Sequence, residues 1–232
     1  MPTAIKILSA GAVKPGLTNV IDAFQRETAH EVKVKFATAP AILSEINGSE
    51  TVDVVIAPPA VLDELVTSAK VAAGARVTLG RIGVGVMVRD GATLPQIATV
   101  DEFKETLRSA DSVVYNQAST GTYLEALFDR LGIGAELKAK SVRYPDFAAV
   151  LDHVRRGKSG EVGLGATTVI LENSGKGVKF AGPLPAEIQH YTEYAATLMS
   201  MADSAARAKA QQFVSYLASP KAKSLFAAAG IS

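Results

Sequence analysis

The chain has 232 residues, 48% of them hydrophobic and 20% charged, with no cysteine and a formal net charge of +1. That length fits one large domain or two smaller lobes, either able to bury a core. Near-neutral charge without a Lys/Arg stripe argues against nucleic acid as a partner, and the lack of cysteine excludes disulfides, thiolate nucleophiles and cysteine-based metal centres.

Met1-Pro2-Thr3-Ala4 carries neither a basic segment nor an apolar stretch ahead of a cleavage site. No run reaches the roughly 18 apolar residues that span a bilayer. The expectation is a cytoplasmic protein without membrane insertion, or a periplasmic one if the chain is a trimmed mature form. Ile5-Lys6-Ile7-Leu8 reads as a buried strand that passes through Ser9-Ala10-Gly11 into a helix holding Lys14 and Pro15. Small residues and an opening proline leave backbone N–H groups open to approach, which makes an anion cradle. Leu17, Val20, Ile21 and Phe24 give that helix one apolar face. Val32-Lys33-Val34-Lys35-Phe36 alternates as a strand. Ala37-Thr38-Ala39-Pro40 turns into a helix through Ile42, Leu43 and Ile46, which Asn47-Gly48 ends. Val52-Asp53-Val54-Val55-Ile56 is a third buried strand, and Ala57-Pro58-Pro59 opens a helix through Leu62 and Leu65. Three such units predict a parallel sheet with right-handed crossovers.

The pattern changes at Val77. Ile82, Val84, Val86 and Val88 alternate with glycines, so 78–89 is predicted to be one long, bendable strand that crosses between lobes. Thr99-Val100-Asp101-Glu102 matches a capping box and opens a helix through Phe103 and Leu107. Ser112-Val113-Val114-Tyr115 is the next strand, and 116–122 leads into a helix with Leu124, Leu127, Phe128 and Leu131 on one face. The same order recurs at Tyr144-Pro145-Asp146, ahead of Phe147, Val150, Leu151 and Val154, and at Gly163-Leu164-Gly165-Ala166-Thr167-Thr168. A return strand is expected over 191–199, then two helices, the last with Ser219 as N-cap, Pro220 at its first position and Gly230 past its end. The expected organisation is a discontinuous lobe of 1–82 plus 192–232, interrupted by a second lobe of 83–191. Each lobe is a mainly parallel α/β sheet flanked by helices, with a ligand cleft between them.

Catalytic signatures are sparse. Gly157-Lys158-Ser159 looks like the tail of a P-loop, but Asp152 stands where its first glycine is needed and a helix precedes it. The glycine-rich 160–165 lacks dinucleotide-binding spacing, and no Gly-x-Ser-x-Gly elbow occurs. His30 is expected in a turn, His153 on a helix flank, and His190 and Glu193 as surface neighbours, without metal-ligand spacing. Neither a metal nor a cofactor is implied. Four strand-end loops remain: Ser9-Ala10-Gly11, Thr38-Ala39, Ser119-Thr120-Gly121-Thr122 and Ala166-Thr167-Thr168. In open parallel sheets ligands lie beyond the carboxyl ends of the strands. Each helix start behaves like about +0.5 charge, so three or four together supply roughly +1.5 to +2, a match for a dianion. The same residue types are also ordinary helix caps, and that reading stays open beside the first.

These segments in this order, with 53–57 and the closing Phe213-Val214-Ser215-Tyr216-Leu217-Ala218-Ser219-Pro220-Lys221-Ala222, resemble the molybdate-type, type II periplasmic solute-binding proteins over nearly the whole chain. The resemblance implies two lobes closing over an oxyanion held by serine hydroxyls and backbone amides. Ser9 and Thr38 would come from the first lobe, and the Ser119-Thr120-Gly121 loop with the backbone near Asp146 and Phe147 from the second. Three features depart from the family. Ala166 replaces its tyrosine, the Ser119–Thr122 loop is shorter than the Pro-Ala-Gly form, and Lys14 stands beside the first loop. Lys14 reads either as a solvated helix-start lysine or as a counter-charge for a carboxylate. A wider pocket with one donor fewer brings an organic carboxylate in beside a tetrahedral oxyanion.

The function this implies is capture of a small anion, organic carboxylate or oxyanion, by hinge closure. A membrane transporter would be the partner only of an exported form. Aconitate isomerase resembles the same family, so the alternative is a cytoplasmic isomerase or proton-transfer enzyme acting on small di- or tricarboxylic acids. Its candidate groups are Lys14, Tyr123, Asp146 and Tyr194, with Arg81 as a carboxylate partner.

Overall fold

Alternation along the strands decides which helix each side chain meets, and the chain divides accordingly. A computed structural model describes residues 4–48, 51–71, 76–158, 160–200 and 204–232. Met1-Pro2-Thr3 and Ser159, both used in the sequence reading, lie outside the described residues. Two compact units emerge: Met1–Ile82 with Thr192–Ser232, and Gly83–Tyr191.

The first unit holds β1 (Ile5–Ala10), α1 (Lys14–Thr28), β2 (Val32–Ala37), α2 (Ala39–Asn47), β3 (Val54–Ala57) and α3 (Pro59–Thr67). After the second crossing it is completed by β9 (Tyr191–Leu198), α9 (Ser204–Leu217) and α10 (Pro220–Ala228). The sheet order is β2-β1-β3-β9, with β1 parallel to β2 and β3, and β9 antiparallel to β3. Every β1 residue except Lys6 is buried, as a strand covered on both faces requires. Ser9 and Ala10, expected in a loop, complete β1, and a 3₁₀ turn, Gly11–Val13, separates the strand from α1. The apolar stripe of α1 is fully used: Leu17, Val20, Ile21 and Phe24 are buried. Phe24 meets Phe213 and Tyr216 of α9 edge to face, with centroids 5.0 and 5.3 Å apart. Gly16 lets α10 close on α1, since a Cβ there would lie 2.8 Å from the Phe226 ring. β3 starts at Val54, two residues after the expected Val52. Asp53 just ahead of it brackets Lys6, accepting its N–H on Oδ2 and donating its own N–H to the Lys6 carbonyl, both at 2.8 Å.

The second unit contains the distal part of β4 (Val77–Arg89), α4 (Val100–Ser109), β5 (Ser112–Asn116), α5 (Ser119–Arg130) and α6 (Gly134–Leu137). It continues with β6 (Ser141–Tyr144), α7 (Phe147–Arg156), β7 (Glu161–Ala166), α8 (Thr167–Asn173) and β8 (Val178–Pro183). Its strands run β8-β4-β7-β5-β6. β7, β5 and β6 are parallel, whereas β4 is antiparallel to both β7 and β8. Period two sorts the two faces. Val86, Val113 and Tyr115 pack with Phe103 and Leu107 of α4 and Leu124, Leu127 and Phe128 of α5. Met87 and Val114, on the other face, pack with Val150, Leu151 and Val154 of α7 and Ile170 of α8. The capping box of α4 is complete: Thr99 Oγ1 accepts the Glu102 N–H, and Glu102 accepts the Thr99 N–H. α6 and β8 had no sequence expectation. Among the described residues no helix is long and apolar enough to cross a membrane.

Candidate functional site

In the first unit, parallel pairing aligns Ser9 with Phe36 and Ala10 with Ala37, so the Gly11 turn and the start of α2 leave the same end of the sheet side by side. Ser9 itself is fully buried, and its hydroxyl donates to the Ala10 carbonyl at 3.3 Å. Its side chain is therefore part of the core, and partly exposed Gly11 and Ala12 present the turn. Thr38 occupies the N-cap position of α2 in extended conformation, yet its hydroxyl takes no capping hydrogen bond, and Ala39 follows half-exposed. Lys14 opens α1, a helix without an acidic residue in its first turn. The exposed Lys14 enters no ion pair among the described residues, and its Nζ stands 5.8 Å from the Phe36 ring centroid.

In the second unit, Asn116 pairs with Tyr144 and Val114 with Gly163, so three loops leave one end of the β7-β5-β6 ladder. The first turn of α5 rests directly on β5: a Cβ at Gly121 would run into the Asn116 carbonyl oxygen. Ala118 is the N-cap of α5 and Ala166 that of α8, and neither helix has a side-chain cap. Ser119 is exposed, Thr120 and Thr167 are half-buried, and the Thr122 hydroxyl donates to the Ala118 carbonyl at 3.4 Å. Asp146 has another job. Its carboxylate caps α7, accepting the Ala149 N–H at 2.9 Å, so the side chain serves the first turn of that helix. The Phe147 ring lies so close over Gly165 that a Cβ there would collide with it.

Side-chain caps thus exist on α4 (Thr99), α7 (Asp146) and α10 (Ser219), but not on the turn into α1, nor on α2, α5 or α8. The first N–H groups of a helix have no intrahelical acceptor. At these starts small residues leave them to solvent or to an anion. Capping by the loop hydroxyls does not account for Thr38, Ser119, Thr120 or Thr167.

The candidate proton-transfer groups are differently committed. Tyr194 is buried, which pushes its hydroxyl up to about 12 and keeps it protonated. The Tyr123 hydroxyl donates to the Ile188 carbonyl at 2.6 Å. Arg81 pairs its backbone with Ser232, donating at 2.7 Å and accepting at 3.2 Å.

All three histidines have partners that their sequence neighbours do not disclose. His30 meets Gln212 at 3.1 Å, and His153 links Tyr144 Oη at 2.8 Å to Glu161 at 3.3 Å. His190 is not simply a surface neighbour of Glu193: it stacks on Tyr123, centroids 4.3 Å apart and planes 16° from parallel, and burial lowers its pKa. Nothing short-range in the sequence marks these pairs. Two surface depressions of the second unit, about 410 and 450 Å³, are lined by residues such as Leu94, Glu105 and Thr106 and by Tyr144, His153 and Glu161; neither includes a residue of the uncapped starts of α5 or α8. Among the described residues no group of three His, Asp or Glu side chains could hold a metal ion.

Residues 5–232 match the profile of a family described as bacterial extracellular solute-binding protein. A curated relative, aconitate isomerase of a Pseudomonas species, is 32% identical over 230 residues, which cover 95% of this chain and 84% of the relative. Among solved structures, the periplasmic molybdate-binding protein of Azotobacter vinelandii superposes with a TM-score of 0.82 at 18% identity, covering 98% of each chain. The sulfate-binding protein of Mycobacterium tuberculosis gives 0.75 at 18% identity, covering 99% of this chain and 86% of its own. These likenesses identify the fold as that of the type II periplasmic binding proteins.

Proposed function

The chain belongs to the bacterial extracellular solute-binding protein family, and we propose that it captures a small anion, an organic carboxylate or an oxyanion, on its uncapped helix starts. The observation that carries this reading is the contrast in caps. Helices α2 and α5 begin beside strand ends on small residues without a side-chain cap, whereas α4, α7 and α10 are capped, and the likewise uncapped α3 and α6 follow Pro58 and Ile133 instead. Uncapped N–H groups and the positive end of the helix dipole favour an anion. The molybdate- and sulfate-binding neighbours, which by their names bind such anions, support the class of ligand. For an exported form, a membrane transporter is the proposed partner.

A second reading, isomerisation of a small di- or tricarboxylic acid, draws on the 32% identical aconitate isomerase. Allylic proton transfer needs a positioned base and a clamp for the carboxylates. Tyr194, Tyr123 and Asp146 are committed as described, which leaves Lys14 as the candidate whose head group is engaged with no other polar side chain among the described residues.

Calorimetric titration with molybdate, sulfate, citrate and cis-aconitate tests the first reading. Binding of at least one is expected; binding of molybdate alone removes the carboxylates, and binding of none removes the proposal. Incubation with cis- or trans-aconitate followed by proton NMR tests the second, which fails if neither isomer is converted.

A further inference from the structure

Tyr123 follows directly on the Ser119–Thr122 stretch and faces the segment that leads out of the second unit. Its hydroxyl holds the Ile188 carbonyl at 2.6 Å, and its ring stacks on His190 at 4.3 Å. Between those two residues, Gln189 points its carboxamide at Val84. It accepts the Val84 N–H at 2.9 Å and donates to the Val84 carbonyl at 3.0 Å, as a neighbouring strand would. Val84 also accepts the Leu184 N–H at 3.1 Å and pairs across the ladder with Ala166, the N-cap of α8. Packing here is tight: a Cβ at Gly83 would lie 3.2 Å from the Tyr191 ring and 3.3 Å from the Gln189 amide carbon.

The chain enters this unit at Gly83 and leaves it at Tyr191. The start of α5, the entry segment and the exit segment are therefore joined by one short series of contacts, Tyr123 to 188–190 and Gln189 to Val84. A backbone pairing supplied by a side chain is lost by changing one residue, which the rest of the ladder would tolerate.

We propose that Tyr123 and Gln189 are positioning residues that couple occupancy of the α5 start to the two segments through which the chain passes between its units. The inference rests on the reading of that helix start as a ligand contact. Neither residue needs to touch the ligand. Tyr123 carries the constraint from α5 to 188–190, and Gln189 carries it on to Val84.

Hydrogen exchange of the full chain, with and without saturating molybdate, sulfate, citrate or cis-aconitate, tests this. In the wild type an anion that binds is expected to slow exchange at 83–85 and 188–191 as well as at 119–126. In Gln189→Leu and Tyr123→Leu the protection at 119–126 persists, the protection at the crossings disappears, and affinity falls about tenfold, the worth of one or two hydrogen bonds. Tyr123→Phe, which keeps the stack and the fold, loses the hydroxyl bond and falls between. Variants that only lower the melting temperature, with ligand-dependent protection intact at both places, overturn the coupling. If no probe binds the wild type, the proposed function fails, and the coupling is read without ligand: Gln189→Leu should then speed exchange at 119–126 as well as at Val84, and an effect confined to Val84 overturns it.

Discussion

Ala118→Asp separates the stability of α5 from its capacity for anions. Ala118 already has the extended conformation of an N-cap, φ −83° and ψ −170°, so an aspartate there can accept the N–H of Thr120 or Gly121 without moving the backbone. A cap contributes about 1 kcal/mol, and a negative charge at the positive end of the helix about 0.3–1 more. For a chain of this size that raises the melting temperature by roughly 2–8 °C. The same carboxylate takes the donors an anion would use and adds a like charge. At roughly 5 Å and an effective dielectric of about 20 the repulsion is about 3 kcal/mol, more than a hundredfold in Kd. Scanning calorimetry and titration with sulfate and citrate on the same preparation give both quantities. A chain that melts higher and binds its anion within about threefold of the wild type refutes the assignment of α5. Thr38→Asp repeats the experiment at α2.

Gly121→Ala puts a Cβ into the Asn116 carbonyl oxygen; a loss of about 3 kcal/mol or more is expected in urea unfolding, the scale of overpacking against rigid backbone. Thr99→Ala removes the capping box of α4 and should cost about 1 kcal/mol with anion affinity unchanged, measured by the same unfolding curves. Burial lowers the His190 pKa from 6.5, so folding favours its neutral form. That contribution is complete above pH 6.5 and is lost as pH falls below it towards the lowered folded value. His190→Phe, which keeps a ring against Tyr123, should show a smaller drop in the unfolding midpoint between pH 7.5 and 5 than the wild type; an equal drop in both counts against buried His190 as its source.

Regular elements were legible where a local rule governs them. The spacing of Leu17, Val20, Ile21 and Phe24 announces the buried face of α1, and Thr99 with Glu102 announces both bonds of the capping box. Ser219 does cap α10, accepting the Ala222 N–H at 3.1 Å. β8 escaped because Val178-Lys179-Phe180-Ala181-Gly182-Pro183 has weak alternation and a terminal proline; its partner β4, far earlier in sequence, makes it a strand. The four residues of α6 are too few to show a helical period. At the candidate site the sequence located the loops but not the use of their side chains. Thr38 and Asp146 look alike as N-caps, and only Asp146 caps. Ser9 is a loop-edge hydroxyl by its neighbours and a core residue by its packing. Gln189 carries no signal of this role, because its two bonds to Val84 reach a residue 105 positions away.

The discontinuity of the first unit bears on how the chain is born. Residues 83–191 form a continuous unit, all of whose internal contacts are available once residue 191 has been made. Those of the first unit are not, because β9 must pair with β3, and Phe213 and Phe226 must meet Phe24 and Gly16, before its sheet and α1 are covered. During translation the apolar side of α1 and the β3 edge therefore wait, uncovered, for the whole of the second unit to be made. Factors that shelter nascent chains should engage residues 5–67 in this interval, and shortening the chain ahead of α9 should leave a soluble second unit joined to an aggregating first one.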